Sequence, residues 1–290
     1  MTKSNETEIE IACKDGIDFL KQVEGGSVDL ILTDPPYSIS KDTGMNKHYD
    51  LVKENKKKGV KYVKTEEDWI QYKKKLNKPK IELDEELGPG WSKENYLLHG
   101  TILGKKYCNK TDYGEWDKKF SLIQLDLFIQ QFYQKLRKGG TLIIWFDLWK
   151  LSYLKEIMEK YKFKQIRFLE WIKTNPQPIN SKVNYLTNSR EIALLGVKVG
   201  KPTFNSSYDR GVYRFPIAAG KYKIHPTQKN LQLFEELIRK HSKENDLVLD
   251  PFLGGGTTAF ACKNTRRRFK GCDINKEYVE KVEDMLTCLR

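Results

Sequence analysis

The sequence predicts an α/β protein with a mostly parallel sheet and helices on both faces. Short apolar segments that suit strands alternate along the chain with longer segments of helical periodicity. Two of the apolar segments run directly into unusual loops, LTDPPYSIS at 32–40 and LDPFLGGGTT at 249–258. The length of 290 residues suffices for one well-buried domain with an elaboration, or for two small domains.

The alternation places the predicted elements in order along the chain. Strands are predicted at 28–32, 141–146, 166–171, 192–195, 247–249 and 269–272. Helices are predicted at 121–137, 150–161, 229–241, 258–263 and 276–289. Gly139 and Gly140 are expected to end the first of these helices before the next strand.

The chain carries a large positive charge, with 52 Lys and Arg against 39 Asp and Glu and a net charge of +13. This charge favours a polyanionic partner, first nucleic acid and second an anionic membrane surface. No apolar stretch approaches the ~20 residues of a membrane-spanning helix. The polar N-terminus lacks the apolar core of a signal peptide, so we expect a cytoplasmic protein.

The five cysteines predict neither a disulfide framework nor a zinc site, because they are scattered and form no C-x-x-C pair. No metal site is expected. Cys13, Cys262 and Cys272 lie among apolar residues and are predicted to fill the core.

Two long segments interrupt the alternation. Residues 41–113 are polar, lysine-rich and dotted with aromatic residues, which is uncommon inside a domain unless the segment is functional or flexible. Residues 173–224 are rich in Asn, Ser, Tyr, Arg and Lys, a composition that suits phosphate and base contacts. Solvated loops are the alternative for both. We predict a single domain over 1–290, with an insertion at 41–113.

The first loop follows the buried strand VDLIL at 28–32. The Asp34-Pro35-Pro36-Tyr37 tetrapeptide ends that strand, since neither proline can donate a ladder hydrogen bond and each disfavours helix in the residue before it. The chain is therefore expected to leave the sheet in a stiff, extended loop. This loop presents a carboxylate, backbone carbonyls and an aromatic ring.

The second loop joins a strand that ends at Asp250 to the start of a helix, through Gly254, Gly255 and Gly256. Glycines there let the backbone approach a ligand at a helix N-terminus. Roughly 20 residues further on, Asp273 ends another strand, at the spacing where an acidic group binds ribose hydroxyls. Together these features predict an adenosine-containing cofactor. A phosphate-binding P-loop is disfavoured, because no Gly-Lys-Ser/Thr follows the glycines.

The two loops together resemble the S-adenosylmethionine-dependent DNA methyltransferases that modify amino groups. The catalytic tetrapeptide precedes the cofactor loop, an order that resembles the circularly permuted β-class of this family. CKDGIDFL at 13–20, EWDKKF at 115–120, LRKGGTLIIWF at 136–146, WIKTNPQP at 171–178, SREIALL at 189–195 and KIHPTQKN at 223–230 also resemble family segments in the expected order. Asn230 stands where the family usually has proline. The resemblance implies the Rossmann-like methyltransferase fold, with inserted DNA-contacting segments. It also implies a target-recognition region at 173–224 and a cofactor-binding half at 225–290.

The resemblance also implies a mechanism. The target base is flipped out of the duplex, because its amino group is unreachable in the stack. Asp34 and the Pro35 carbonyl would accept the two amine hydrogens, and Tyr37 would stack on the base. The cofactor supplies a reactive methyl group, while the protein aligns the reactants and stabilises the developing charge. No covalent enzyme intermediate is needed.

The implied site residues fall into three groups. The catalytic group is Asp34, Pro35, Pro36 and Tyr37. The cofactor-binding group is Asp15, Asp34, Thr227, Lys229, Asp250, Phe252, Gly254, Gly256, Thr257 and Asp273, with Thr227 and Lys229 expected near the methionine carboxylate. Candidates for base or phosphate contact are Arg190, Lys201, Asn205, Arg210 and Arg214. The Arg266-Arg267-Arg268 run is expected to be a solvated loop.

The tetrapeptide favours adenine N6 as the target, because family enzymes that methylate cytosine N4 more often begin this motif with serine. The partner is expected to be double-stranded DNA, and an RNA substrate stays open. The resemblance further suggests a homodimer. For the biological role it implies either a restriction–modification system with a cognate restriction endonuclease, or an orphan or phage-borne methylase. The alternatives are an N4-cytosine DNA methyltransferase, an inactive DNA-binding relative, and a nicotinamide-dependent oxidoreductase built on the glycine loop.

Overall fold

A computed structural model describes residues 7–36, 57–59, 63–75, 93–100, 120–176, 187–219, 223–224 and 228–288. The chain divides into two compact units. One comprises residues 1–37 and 119–290, and the other comprises residues 38–118. Within the described ranges, no helix has the length and apolar character needed to cross a membrane.

The first unit contains an eight-stranded sheet, and most neighbouring strands in it run parallel. The strands are β1 Ile9–Cys13, β2 Val28–Thr33, β3 Leu136–Phe146, β4 Lys164–Lys173, β5 Arg190–Val197, β6 Val212–Phe215, β7 Leu247–Asp250 and β8 Arg268–Asp273. Their order across the sheet is β1-β8-β7-β2-β3-β5-β4-β6. Only β5 runs antiparallel to its neighbours, β3 and β4.

The described helices connect and flank these strands. They are α1 Gly16–Gln22, α2 Glu66–Lys75, α3 Lys93–His99, α4 Leu122–Lys135, α5 Leu151–Lys160, α6 Leu231–His241, α7 Thr257–Thr265 and α8 Lys276–Cys288. A short 3-10 helix at Leu148–Lys150 precedes α5.

Helices cover both faces of the sheet, as the sequence predicts. On one face, Leu142 and Ile144 of β3 pack in a cluster with apolar residues of α1, α4 and α5. On the other face, Ile143 and Trp145 pack in a second cluster with residues of α6, α7 and α8. Successive residues of a strand point to opposite faces, so the continuous apolar run in β3 supplies both cores.

Helix starts are fixed by local hydrogen bonds. Ser121 and Gln124 form a reciprocal capping box at the start of α4. Asn230, at the position where the family usually has proline, caps α6 by accepting a hydrogen bond from Leu233 N at 3.0 Å. Its Nδ2 also donates to the Pro216 carbonyl.

The six predicted strands and five predicted helices of the first unit all form, but the sequence analysis missed β1, β6 and α1. These elements are short, and strand β6 has only one buried residue in four, so their apolar periodicity is weak. The prediction that Gly139 and Gly140 end a helix is wrong. Helix α4 ends at Lys135, and both glycines lie inside β3, where the carbonyl of Lys201 would obstruct any side chain on Gly139.

Helices α2 and α3 give the predicted insertion regular structure, which the sequence analysis did not foresee. Trp69 and Tyr72 of α2 pack against Tyr96 of α3, with the Tyr72 and Tyr96 ring centroids 4.5 Å apart. The backbone of Val63 also donates to the Leu97 carbonyl at 2.8 Å. These three aromatic residues, with Leu97, therefore form a small core.

Two predictions about single side chains need correction. Cys262 and Cys272 are buried, but Cys13 is exposed, because it is the last residue of β1, which lies at the edge of the sheet. Arg267 is buried and donates to the Ser242 carbonyl and hydroxyl, so the arginine run is not wholly a solvated loop. No cluster of three or more metal-ligating side chains occurs in the described ranges.

Candidate active site

The predicted functional residues gather where the parallel strands end. Asp15 and Asp34 follow β1 and β2, while Asp250 and Asp273 end β7 and β8. The chain proceeds from β2 to β3 in one direction and from β7 to β8 in the other, so the strand order reverses between β2 and β7. Ligands of open α/β sheets bind outside the carboxyl ends of the strands at such a switch point.

Asp34 lies at this switch point, directly after β2. Its Oδ2 accepts a hydrogen bond from Lys229 Nζ at 2.5 Å. Its Oδ1 is buried and has no hydrogen-bond partner within the described part of the chain. Burial raises the pKa of Asp34, and the charge of Lys229 opposes that increase. The site therefore holds a carboxylate with one oxygen bound to Lys229 and the other without a donor among the described residues.

Lys229 occupies a different place from the one predicted. Instead of pointing toward a cofactor carboxylate, its Nζ lies between Asp34 and Glu191, 2.9 Å from Glu191 Oε2. The ammonium also lies 5.9 Å from the centre of the Trp145 ring. Only 4% of the Lys229 side chain is exposed. The structure therefore places the Lys229 ammonium beside the Asp34 carboxylate, and we leave Lys229 out of the proposed cofactor contacts.

Glu191 and Lys173 were missed as site residues by the sequence analysis. Glu191 lies in β5 opposite Trp171, and Lys173 ends β4, with its Nζ 2.7 Å from Glu191 Oε1. Burial acts to raise the pKa of Glu191, but the charges of Lys229 and Lys173 outweigh it, so this pKa lies below the ordinary value. An acidic residue in the otherwise apolar segment EIALL was the available signal.

Asp250 belongs to the scaffold rather than to the ligand-contacting surface. Thr33 Oγ1 donates to its Oδ1 at 2.7 Å, and Thr258 Oγ1 donates to its Oδ2 at 2.6 Å. The Phe252 amide adds a third bond. Burial raises the pKa of Asp250 to about 6, although these bonds stabilise its ionised form. The carboxylate thereby ties β2, β7 and α7 together at the switch point.

The two positive-φ glycines of the second loop have different surroundings. Gly254 has a φ of +49°, and a side chain there would enter open space, with only Phe252 O within 4 Å. Gly256 has a φ of +74°, and its Cβ would lie 2.6 Å from Val282 Cγ1. Gly254 can therefore face a ligand, whereas Gly256 is required for packing against α8.

Phe252 and Thr257, predicted to line the cofactor, lie on either side of these glycines. The Phe252 ring packs against Phe128, with centroids 4.6 Å apart, and is only partly buried. Thr257 is buried as the first residue of α7, and its hydroxyl lies 3.4 Å from the Lys229 carbonyl. Phe252 thus retains an exposed edge, while Thr257 mainly joins α7 to the segment before α6.

Asp273 keeps capacity for a ligand. Its Oδ2 accepts from the Gly254 amide and its Oδ1 from the Asn275 amide, both at 2.8 Å. The Ile274 amide also stabilises its charge, and since a carboxylate has about four acceptor positions, acceptor capacity remains for a ribose hydroxyl. Burial raises the pKa of Asp273, and the backbone bonds oppose the increase. Asp15 is exposed and caps α1 through the Ile17 amide, beside the loop that begins at Pro251.

Arg190 and Arg214 lie near the same end of the sheet as Asp34. Both are exposed, and both register with Ile172 of β4, which lies between them. Registered neighbours share a face, so the two arginines are about 10 Å apart on one face of the sheet. Arg190 also pairs with Glu170 at 3.3 Å. Arg210 is exposed in the turn before β6.

Lys201 and Asn205 lie at the opposite end of the sheet. The Lys201 carbonyl contacts Gly139, near the start of β3. Asp34 lies near the other end of that strand, because the residue before it, Thr33, pairs with Ile144. That separation is about 20 Å at the rise of a β-strand. Asn205 Nδ2 donates to the Arg239 and Ser242 carbonyls and so caps the C-terminus of α6. Both residues leave the set that we propose to contact DNA near the target base.

The remaining predicted site residues lie outside or at the margin of the described ranges. Tyr37 and Thr227 are not among the described residues. Pro35 is buried and Pro36 half-buried, and neither belongs to a strand or helix, as expected for the loop that follows β2.

The family model for DNA methylases, which covers N6 and N4 enzymes, matches residues 28–284. The chain is 28% identical to the type II methyltransferase M.HpaI of Haemophilus parainfluenzae, over 95% of this chain and 73% of the relative. It is also 28% identical to M1.MboII of Moraxella bovis, over 94% of each chain.

Solved structures agree in fold. The M1.HpyAVI complex with S-adenosylmethionine matches with a TM-score of 0.59 at 24% identity, over 96% of this chain and 98% of that one. The cytosine-N4-specific PvuII methyltransferase matches with a TM-score of 0.59 at 15% identity, over 97% and 92% of the two chains. These likenesses concern the fold alone, whereas the family model covers both loops of the site. The chain therefore belongs to the N6/N4 DNA methylase family.

Proposed function

We propose that this protein transfers a methyl group from S-adenosylmethionine to the N6 amino group of adenine within a short sequence of double-stranded DNA. The observation that carries the proposal is the Asp34 carboxylate at the switch point, with Oδ2 bound to Lys229 and Oδ1 without a partner in the described ranges. An exocyclic amine is a donor that suits such an acceptor. Family membership supplies the reaction class.

The residues after β2 fit the chemistry of amine methylation. Bound S-adenosylmethionine supplies a methyl carbon whose bond to sulfur breaks, with the electron pair left on sulfur, as the amine nitrogen forms the new bond. Asp34 Oδ1 and the Pro35 carbonyl accept the two amine hydrogens and orient the nitrogen lone pair. Positive charge grows on that nitrogen, and the fixed carboxylate stabilises it. One amine proton then leaves through Asp34 to water.

The glycine loop and the end of β8 fit the cofactor. Gly254 leaves open space where a side chain would stand, and the free acceptor positions of Asp273 suit ribose hydroxyls. Phe252 offers a ring edge to the adenine or ribose, and Asp15 lies beside the same loop. These residues, with Thr227, form the cofactor-binding set that we propose. Asp250, Gly256 and Thr257 are proposed to stabilise the loop that carries this set, without contacting the cofactor.

Access to the target requires base flipping, because the amino group takes part in the pairing and stacking of the duplex. Tyr37 would stack on the flipped base, a contact of roughly 1–3 kcal/mol for base–aromatic pairs. Arg190, Arg210 and Arg214 are the proposed DNA contacts. The net charge of +13 supports a polyanionic substrate of this kind.

The arginine contacts are testable by their salt dependence. We expect Arg214→Ala to weaken DNA binding and to reduce the slope of log K against log salt by about 1, since one phosphate contact is lost. Lys201→Ala is the matched control and should leave the slope unchanged, because it lies at the far end of the sheet. Fluorescence anisotropy at several salt concentrations measures both. Equal slopes for all three proteins would remove Arg214 from the interface.

The target base is assigned from the tetrapeptide. Its first residue is aspartate, which in this family accompanies N6-adenine enzymes more often, so adenine is the proposed target. Cytosine N4 is the alternative, since both amines present two hydrogens to the same pair of acceptors. We further propose a cytoplasmic role in a type II modification system. The homodimer and the cognate endonuclease stay predictions.

The deciding experiment uses purified protein, methyl-labelled S-adenosylmethionine and unmethylated bacterial DNA, followed by nucleoside digestion and mass spectrometry. We expect the label in N6-methyladenine. Label in N4-methylcytosine would support the proposed mechanism but show that the target base is cytosine. Absence of label in DNA with intact cofactor binding would instead favour RNA or an inactive DNA-binding relative, and an RNA substrate in the same assay separates these two.

A further inference from the structure

Four buried or half-buried side chains of alternating charge form a continuous row at the active-site edge. Lys173 lies 2.7 Å from Glu191, Glu191 lies 2.9 Å from Lys229, and Lys229 lies 2.5 Å from Asp34. Each side chain comes from a different segment: the end of β4, the start of β5, the residue before the cap of α6, and the residue after β2. The row therefore joins four segments of the fold to the catalytic carboxylate.

The row has a cost that packing alone does not explain. Isolated buried charges are strongly unfavourable, and even paired ones are often no more stable than apolar side chains of similar size. Lys229 and Glu191 both lose most of their hydration, with 4% and 21% of their side chains exposed. A polar arrangement of this kind is retained where it fixes the geometry of a functional group.

Lys229 can orient Asp34 only if its own ammonium is fixed, because lysine has a flexible stem with four rotatable bonds. Glu191 supplies a second anion on the other side of that ammonium, and the Trp145 ring lies against it. Glu191 is in turn held through its other oxygen by Lys173. Removal of either outer member would take one partner from the next member inward and loosen its position.

We propose that Glu191 and Lys173 are positioning residues for methyl transfer, which act through Lys229 to keep Asp34 Oδ2 occupied and Oδ1 presented to the target amine. This inference rests on the proposed function, in which Asp34 is the acceptor of that amine. Neither Glu191 nor Lys173 touches the reacting atoms. Their effect is expected on the turnover rate, while KM for DNA and for the cofactor stays unchanged.

Because the charges alternate, loss of Lys173 and loss of the Glu191 charge should shift the pH profile of the rate in opposite directions. The charged groups that face Asp34 are Lys229, Glu191, Lys173 and Asp250. The lysines favour the ionised, accepting form of Asp34, and the carboxylates disfavour it. Loss of Lys173 should therefore move the acidic limb of the rate profile to higher pH. Loss of the Glu191 charge should move the same limb to lower pH.

The test measures single-turnover methylation against pH for Glu191→Gln and Lys173→Met. At the high-pH plateau we expect a rate loss on the order of 100-fold for Glu191→Gln, because a small displacement of the aligned acceptor is enough. Lys173→Arg should restore the position of the limb. Glu159→Gln and Lys155→Met, which break an exposed pair of the same type on α5, are the matched controls and should leave the profile unchanged. If the acidic limbs of the Glu191→Gln and Lys173→Met profiles move in the same direction, or if neither moves, the proposal is overturned.

A second readout separates this inference from the proposed function. Carbon-13 NMR of aspartate-labelled protein, with the Asp34 signal identified by its loss in Asp34→Asn, follows ionisation of Asp34 without any methyl transfer. Opposite titration shifts in the two variants support the positioning role even if the wild-type protein methylates no DNA. Unchanged titration in both folded variants would remove the role even if the wild-type protein is active. If Glu191→Gln does not fold, Lys173→Met alone decides by the sign of its shift.

Discussion

Asp34→Ala is expected to reduce methyl transfer by about 1,000-fold or more while DNA and cofactor binding persist. The substitution removes the anionic acceptor that faces the amine, and loss of one preorganised stabilising group costs on the order of 100- to 1,000-fold. The additional loss follows from the half-buried position of Asp34, where water replaces the carboxylate poorly. A 1,000-fold reduction corresponds to about 4 kcal/mol in the activation barrier.

The fold should survive this substitution, since Lys229 retains Glu191 as a partner after Asp34 is removed. Asp34→Asn provides a graded variant. Its amide has one acceptor oxygen, so either the amine or Lys229 must face a donor, and we expect a smaller loss than for alanine. Asp284→Asn, at an exposed position of α8, is the control. Turnover in Asp34→Ala equal to that of the control would exclude Asp34 from the reaction.

Gly256→Ala is expected to lower the free energy of unfolding by about 2–4 kcal/mol, the sum of a left-handed backbone and an overpacked contact. The new methyl group would lie 2.6 Å and 2.7 Å from the two Val282 methyl groups. For a protein of this size the midpoint of thermal unfolding should fall by roughly 6–12 °C. Differential scanning calorimetry without cofactor measures the effect.

Gly254→Ala is the paired variant, because it has the same left-handed backbone but open space around the new methyl group. Its stability should fall by only about 1–2 kcal/mol. Its affinity for S-adenosylhomocysteine, measured by isothermal titration calorimetry, should fall about tenfold or more, equivalent to ~1.4 kcal/mol. If the two variants lose stability equally, or if Gly254→Ala binds normally, the division between ligand-facing and packing glycines is incorrect.

The charged row of Asp34, Lys229, Glu191 and Lys173 shows how much of a site local sequence can predict. Asp34 was included in the site because its tetrapeptide, which follows a buried strand, resembles the family motif. Glu191 and Lys173 were not, because each is a single charge within an apolar strand, and a contact between them depends on the register of β4 against β5. Lys229 was included in the site, but its pairing with Asp34 and Glu191 was not predicted, since its sequence context says nothing about which anions surround it.

The sequence by itself determined the alternation of strands and helices, the two loops that carry the site, and their order along the chain. These features depend on apolar periodicity and on the backbone limits of proline and glycine, which act over a few residues. The tertiary structure alone decided that Gly256 packs against Val282, that Asp250 is enclosed by two threonines, and that Lys201 lies at the far end of the sheet. Those outcomes depend on strand order and register, which bring together residues far apart in the chain, such as Thr33 and Asp250, 217 positions apart, and are set by packing across the whole sheet.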